Sequence, residues 1–370
     1  MKAICIGYPG AESVMQKEIK EKLKVASEIE PSVALFESDE KSICKLAYLG
    51  QSFTHILFFL GSFKINMLAD SKSAEKLDYS LLKNKTFRVN CMRLGKHDFN
   101  SQDLAVELGK IIAEKSGSEP ELKNPDFIIF AYLFKDTCYL GIDIAGIELD
   151  KRDYNVHPHR SAIKGTLAFT LLMLAGYDEK KILLDPFCLS GAVAIEAAYY
   201  KSGFSVNHYR KKKLKFLHMG IVDEKYLEQI DKEGEKRSKK QKEKTIYAFD
   251  ADLRSIRASE QNAKIGGVDR YIEFARMDPK WIDMKFEKGS VDLIVSSPAT
   301  ISRWIVKDAK KSYGEMFNQA DTLLKKDGKI VVISNKLLEE AASGSKFVKE
   351  KSYSIQKRKE VVGISIFKRP

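Results

Sequence analysis

Short apolar runs alternate with amphipathic stretches along most of this chain, the rhythm of strands and helices. Ala3-Ile4-Cys5-Ile6, Val33-Ala34-Leu35-Phe36 and His55 to Leu60 predict strands. Between them, Ala11 to Leu23 (Val14, Ile19 and Leu23 at helical spacing) and Lys41 to Leu49 predict helices. This order predicts a small α+β domain over residues 1–65, followed by a polar, mostly helical bridge over 66–84. A second group opens with the strand Thr86 to Cys91. Ser101 is the expected N-cap of the helix Gln102 to Lys115, whose Leu104, Leu108, Ile111 and Ile112 form one face and which stops near Gly117. Asn124-Pro125-Asp126 is turn chemistry, and strands over Phe127 to Phe134 and Cys138 to Ile144 follow.

A third group starts with the apolar helix Ser161 to Leu174 and the strand Ile182-Leu183-Leu184. Asp185 to Ala198 then reads as a strand end, a small-residue turn and an apolar helix. In a doubly wound sheet that turn is where a nucleotide-like ligand sits. A basic insertion spans Tyr209 to Lys244, opening with Arg210-Lys211-Lys212-Lys213 and closing with Lys236-Arg237-Ser238-Lys239-Lys240-Gln241-Lys242. Its middle, Leu214 to Ile230, has apolar residues to pack. Asp231 to Lys244 has none, which predicts a mobile loop or an exposed helix, either a solvated charged face or a tracker of phosphates. Further strands are expected at Thr245 to Asp250, Ile272 to Met277, Val291 to Val295 and Lys329 to Ser334. Ala309 to Leu324 is a helix, Lys325-Lys326-Asp327-Gly328 a turn, and Ser352 to Arg358 with Gly363 to Lys368 a closing antiparallel pair.

Composition changes this picture at three points. No apolar stretch approaches the ~20 residues of a membrane span, and the N-terminus lacks a secretory h-region, so a cytoplasmic protein is expected. The five cysteines are scattered and never paired as Cys-x-x-Cys, which predicts buried reduced thiols and no zinc site. The net charge of +12 favours a polyanionic partner, RNA or DNA.

Phe87-Arg88-Val89, Arg93-x-Gly95-x-His97-x-Phe99, Asn124-Pro125-Asp126, Tyr139-x-Gly141-Ile142-Asp143 and Gly146-x-Glu148-Leu149-x-Lys151-Arg152-Asp153-Tyr154 together resemble a THUMP domain, an RNA-binding module of tRNA-modifying enzymes. Asp185-Pro186-Phe187-Cys188-Leu189-Ser190-Gly191 resembles the cofactor loop of class I S-adenosylmethionine methyltransferases, with Leu189 where the family carries its middle glycine. The whole chain is similar to the THUMP-containing tRNA guanine-N2 methyltransferases. The resemblance implies an α/β protein with a ferredoxin-like α+β domain (1–65), a THUMP domain (66–154) and a Rossmann-fold methyltransferase domain (155–370) carrying the insertion at 209–244. The last domain is expected to hold a seven-stranded, mostly parallel sheet.

It also implies a site. Asp185, Phe187, Ser190, Gly191 and Thr166 would contact S-adenosylmethionine, Asp250 its ribose and Asp278 its adenine. Asp278 also reads as a helix N-cap, because Pro279 follows. The family's catalytic Asn/Asp-Pro-Pro-Tyr corresponds here to Ser297-Pro298-Ala299-Thr300, so Ser297 and Pro298 would hold the target amine. The base-stacking aromatic is absent unless Trp304 or Tyr313 replaces it. Arg88, Arg93, Lys96, Arg152, Lys211 and Lys212 are the expected RNA contacts, with tRNA as partner. His157 and His159 lack the companions of a metal site, and no metal is expected. A monomer and a homodimer both remain open. Leu189 would cost about 1–3 kcal/mol if the strained glycine conformation persists, and its side chain would fill cofactor space. Two functions follow: methyl transfer to the N2 amine of a tRNA guanosine, or tRNA binding by a catalytically degenerate relative.

Overall fold

The computed structural model describes residues 1–241, 243–298, 306–357 and 360–370. Ala299, Thr300 and Trp304 lie outside the described residues, as does Arg358. The described chain forms two compact units, one of Met1–Leu149 with Arg210–Glu228, the other of Asp150–Tyr209 with Gln229–Pro370.

The first unit is built on β1 (Lys2–Ile6), β2 (Ser27–Glu30), β3 (Val33–Glu37), β4 (His55–Lys64), β5 (Thr86–Leu94), β6 (Glu119–Pro120), β7 (Phe127–Phe134) and β8 (Thr137–Asp143). They form one eight-stranded sheet in the order β2-β3-β1-β4-β8-β7-β5-β6. Pairing is antiparallel except for β5 beside β6 and β7. The ten-residue β4 pairs β1 with its first half and β8 along most of its length, bending at an irregularity between Phe59 and Gly61. Ile4, Ile6, Val33 and Leu35 therefore share one apolar cluster with Leu57, Phe130 and Tyr132.

Helices α1 (Glu12–Leu23), α2 (Glu40–Leu49) and α3 (Ser101–Ser116) belong to this unit. Asn100, not Ser101, caps α3: its carboxamide accepts the N–H groups of Gln102 and Asp103 at 2.7 and 3.0 Å. Asp103 accepts the Asn100 N–H in return at 2.9 Å, a capping box that satisfies the donors at that end. The polar bridge forms short 3-10 turns, Leu68–Lys76 and Ser80–Leu82. The start of the basic insertion is tied down here rather than solvated. Arg210 is buried and donates to the carbonyls of Glu148 and Leu149, and the Lys215 ammonium donates to the Pro125 carbonyl.

The second unit contains α4 (Gly165–Ala175), β9 (Leu183–Asp185), α5 (Ala192–Ser202), β10 (Ile246–Asp250), α8 (Leu253–Ile265), β11 (Ile272–Arg276), β12 (Val291–Ser296), α9 (Val306–Leu323), β13 (Leu324–Ile333), α10 (Lys336–Ser343), β14 (Val348–Lys357) and β15 (Glu360–Lys368). The insertion supplies α6 (Lys215–His218), which belongs to the first unit, and α7 (Glu224–Lys240), which belongs to the second from Gln229 onward. The seven-stranded sheet runs β11-β10-β9-β12-β13-β15-β14, parallel through β13 and antiparallel beyond it. From β9 the chain fills one side of the sheet and then returns to fill the other, so the turn after β9 opens at the switch point. The expected turn at Lys325 to Gly328 is absorbed into β13, where the register against β12 shifts between Val291 and Leu293.

The end of the insertion is a helix with most residues exposed, one of the two forms expected. Helix α7 is docked, and beyond Ile230 its inner face consists of Asp231, Gly234 and Ser238. A Cβ on Gly234 would lie 2.7 Å from the Gly203 carbonyl oxygen, so two backbones meet where an apolar pattern would have required side chains.

Candidate active site

β9 is a three-residue strand that ends on Asp185, with about 1% of the residue exposed. The Ser296 hydroxyl, at the end of neighbouring β12, donates to Asp185 Oδ1 at 2.6 Å, and the Phe187 N–H donates to the same oxygen at 3.3 Å. Burial pushes the Asp185 carboxyl up to about 7, and the nearby Asp250 charge adds to the shift. The ionised form is the penalised one. The stabilising contribution of the protonated form is complete below the unfolded value near 3.8 and is lost as pH rises through about 7.

The turn keeps the shape of a glycine turn without its middle glycine. Leu189 has φ 51°, in the left-handed region, and Gly191, which caps α5, has φ 85°. Hydrogen bonds hold this conformation. The Leu189 N–H donates to Asp250 Oδ2 at 3.1 Å, the Ser259 hydroxyl to the Leu189 carbonyl at 2.9 Å, and the Asn262 amide to the Ser190 carbonyl at 3.0 Å. Asn262 also exchanges two hydrogen bonds with the His157 backbone, at 2.9 and 3.0 Å, and so ties the segment before α4 to the same helix.

Asp250 ends β10 beside the turn and is 8% exposed. One oxygen takes the Leu189 N–H and the other the Asp252 N–H at 2.9 Å, which leaves each oxygen with a further lone pair. Burial raises its carboxyl above the usual carboxylate range. Ile163, Asp185, Phe187, Leu189, Val193 and Ser297 line the cleft between the turn and β12. Its volume is about 10 Å³, the space of about one water.

Residues 152–361 match the family described as RMKL-like, methyltransferase domain, and residues 71–143 match the THUMP domain. This chain belongs to the RMKL-like methyltransferase family. It is 26% identical over 364 residues to the tRNA (guanine(6)-N2)-methyltransferase of Methanocaldococcus jannaschii, covering 94% of each chain. It is 32% identical over 200 residues to the protein of the same name from Archaeoglobus fulgidus, covering 51% of each. Its fold is shared by SMU.472, described as a methyltransferase and solved complexed with SAH. The TM-score is 0.78 at 21% identity, covering 100% of this chain and 98% of that one.

In this RMKL-like methyltransferase, Asp185, Phe187 and Ser297 line one cleft, whereas Ser190 and Gly191 are buried in the same turn and do not line it. Pro298 is buried directly after Ser297. Thr166 is buried in the first turn of α4 and does not line the cleft, and its hydroxyl has no partner among the described residues. Asp278 is exposed and caps the 3-10 turn Pro279–Lys285, accepting the Lys280 N–H at 3.1 Å. Tyr313 is no stacking platform. It is 3% exposed and meets Phe187 edge-on, ring centroids 5.7 Å apart, as part of the core beside β12.

The expected RNA contacts separate. Arg152 is withdrawn from RNA altogether: its side chain is 1% exposed, and its Nε and Nη2 donate to the two oxygens of buried Glu196 at 2.8 and 3.2 Å. Arg88 and Arg93 are five residues apart on regularly paired β5 and therefore face opposite sides of the sheet. Arg88 donates to the Leu122 carbonyl at 3.0 Å, and the Arg93 guanidinium lies 5.6 Å from the Phe99 ring centroid. Lys96 and Lys212 are exposed, and Lys211 is half-buried. Among the described residues no group of three or more His, Cys, Asp or Glu is arranged to hold a metal ion, and no helix is long and apolar enough to cross a membrane.

Proposed function

We propose that this chain transfers a methyl group from S-adenosylmethionine to the N2 amine of a guanosine in tRNA. The observation that carries the reading is Asp250. It is a buried carboxylate at the carboxyl end of β10, beside the turn after β9 in a methyltransferase-family sheet, oriented by two backbone N–H groups, with one lone pair left on each oxygen. That donor set fits the two hydroxyls of the cofactor's ribose. The cofactor, when bound, supplies an electrophilic methyl group. Asp185, Phe187, Ser190 and Gly191 would form the turn around it, with Thr166 behind and Asp278 at the adenine end. The THUMP domain and the full-length likeness to a tRNA (guanine(6)-N2)-methyltransferase support tRNA as the substrate.

Ser297 offers its hydroxyl and Pro298 its backbone carbonyl as acceptors for the two N–H bonds of the target amine. Pro298 restricts Ser297 to extended backbone, so these acceptors are ordered before the substrate arrives. Incubation with methyl-labelled cofactor and tRNA, followed by nucleoside digestion, is expected to yield N2-methylguanosine, with Ser297→Ala slowing transfer by roughly 10- to 100-fold. Label on another nucleoside would move the reaction to a different atom. No label on a tRNA that still binds would leave an RNA-binding protein without transfer.

Leu189 sets the size of the cleft on this reading. Leu189→Gly relieves about 1–2 kcal/mol of left-handed strain and clears the side chain from the space beside Ser297. Calorimetric titration is expected to show at least about tenfold tighter cofactor binding, a change of ~1.4 kcal/mol. Equal affinity in the two proteins would mean that the leucine does not obstruct the cofactor.

A further inference from the structure

We propose that a second cavity, between α7 and the turn leading into β11, holds an unpaired nucleotide of the substrate RNA, with its phosphate against Lys239 and Arg270 and its base against Tyr209 and Phe204. This rests on the tRNA reading above. The cavity is about 320 Å³, within the range of small-ligand sites, and Phe204, Glu235, Ser238, Lys239, Arg270 and Tyr271 line it.

Arg270 is held in advance. Its Nη2 donates to the Tyr271 hydroxyl at 2.7 Å and to the Ser238 hydroxyl, and its guanidinium lies 4.9 Å from the Tyr271 ring centroid. Ser238 and Tyr271 are buried and hydrogen-bonded to each other. The Nε and Nη1 edges of Arg270 have no hydrogen-bond partner among the described residues. A fork with one nitrogen tethered and the rest open suits a phosphate oxygen pair.

The surroundings are cationic and aromatic. Lys236, Lys239 and Lys240 crowd the last turns of α7 without a carboxylate partner among the described residues. Tyr209 is 62% exposed and stands edge-on to Phe204, ring centroids 6.2 Å apart. Its hydroxyl packs over Gly267, where a Cβ would lie 2.7 Å away. Phe204 is half-buried against Tyr199 and His208, so the exposed ring is that of Tyr209. An exposed ring beside a held arginine and lysines suits single-stranded nucleic acid, because every base has a stacking face and every nucleotide a charge. A merely solvated charged helix would neither enclose a cavity nor tether an arginine through two buried hydroxyls.

The position excludes the reacting nucleotide. Tyr271 immediately precedes β11, so the cavity lies at the amino ends of the parallel strands, whereas the turn after β9 lies at their carboxyl ends. Five-residue strands span ~16 Å, so the two sites occupy opposite rims of the sheet.

The test is tRNA binding by the full chain at several salt concentrations, comparing wild type with Lys239→Gln, Tyr209→Ala and Glu235→Gln. Lys239→Gln is expected to weaken binding by roughly 3- to 10-fold at low salt and to lower the log–log salt slope by about 1. Tyr209→Ala is expected to weaken binding about tenfold at unchanged slope, since stacking releases no counterions. Glu235→Gln removes the carboxylate that faces the phosphate and is expected to tighten binding, a gain that loss of fold cannot mimic. Cofactor affinity measured by calorimetry should stay at the wild-type value in all three. If all three bind tRNA as wild type does, the proposal is overturned and the methyl-transfer reading stands. If wild type itself binds no tRNA, the substrate reading fails, and this site with it.

Discussion

Asp250→Ala is expected to abolish measurable cofactor binding, lowering affinity at least about 100-fold. Two hydrogen bonds to a charged acceptor contribute roughly 1.5–3 kcal/mol each, and both would be lost together. The same change removes the acceptor for the buried Leu189 N–H, at a cost of about 1–3 kcal/mol to the turn itself. Calorimetry separates the two effects when paired with thermal unfolding. Asp250→Asn keeps one acceptor oxygen and the shape of the side chain, so it should retain much of the stability while losing most of the affinity. Wild-type affinity in the alanine protein would remove Asp250 from the site. The exposed cap Asp278 provides a contrast, because its partner is the Lys280 N–H of its own turn and its substitution should leave the β9 turn intact.

Glu196→Ala is expected to cost about 3–5 kcal/mol of stability, because it strands a guanidinium in a site that water does not reach. Glu196 lies on α5 and accepts from Arg152 twice and from the Tyr154 hydroxyl at 2.9 Å. Burial and the Glu196 carboxylate push the Tyr154 hydroxyl well above its ordinary range, so it remains a donor at any working pH. The drop should appear as a lower melting temperature, by an amount of the order of 10 °C. A Glu196→Leu, Arg152→Met double variant should recover most of it, since a buried pair replaced by apolar groups of similar volume is often neutral. The double variant should also bind tRNA as wild type does. If its melting temperature stays as low as that of the alanine protein, the cost arises from packing rather than from the unpaired charge.

Hydrophobic periodicity marked the elements that bury one clean face. The strands that become β9, β10 and β12 read as short apolar runs, and α3 as a stripe of Leu104, Leu108, Ile111 and Ile112. Elements built on other physics left no such mark. β2 is Ser27-Glu28-Ile29-Glu30, an outer strand with three exposed residues whose ladder is all backbone. The far half of α7 buries Asp231, Gly234 and Ser238, because contact with Gly203 needs small groups and a hydroxyl pair needs polar ones.

The same division runs through the candidate site. Sequence alone located the turn after β9, the strand-end Asp250 and the departure at Leu189, because each is a residue type at a position along one short segment. Tertiary structure decided which of two adjacent serines meets Asp185. Strand residues alternate faces, and the hydrogen bond falls to Ser296, leaving Ser297 at the cleft. It also decided that Arg152 belongs to Glu196, 44 residues away, rather than to RNA. A side chain's type states what it can bond, whereas its partner is set by packing between segments far apart in the chain, which no local pattern records.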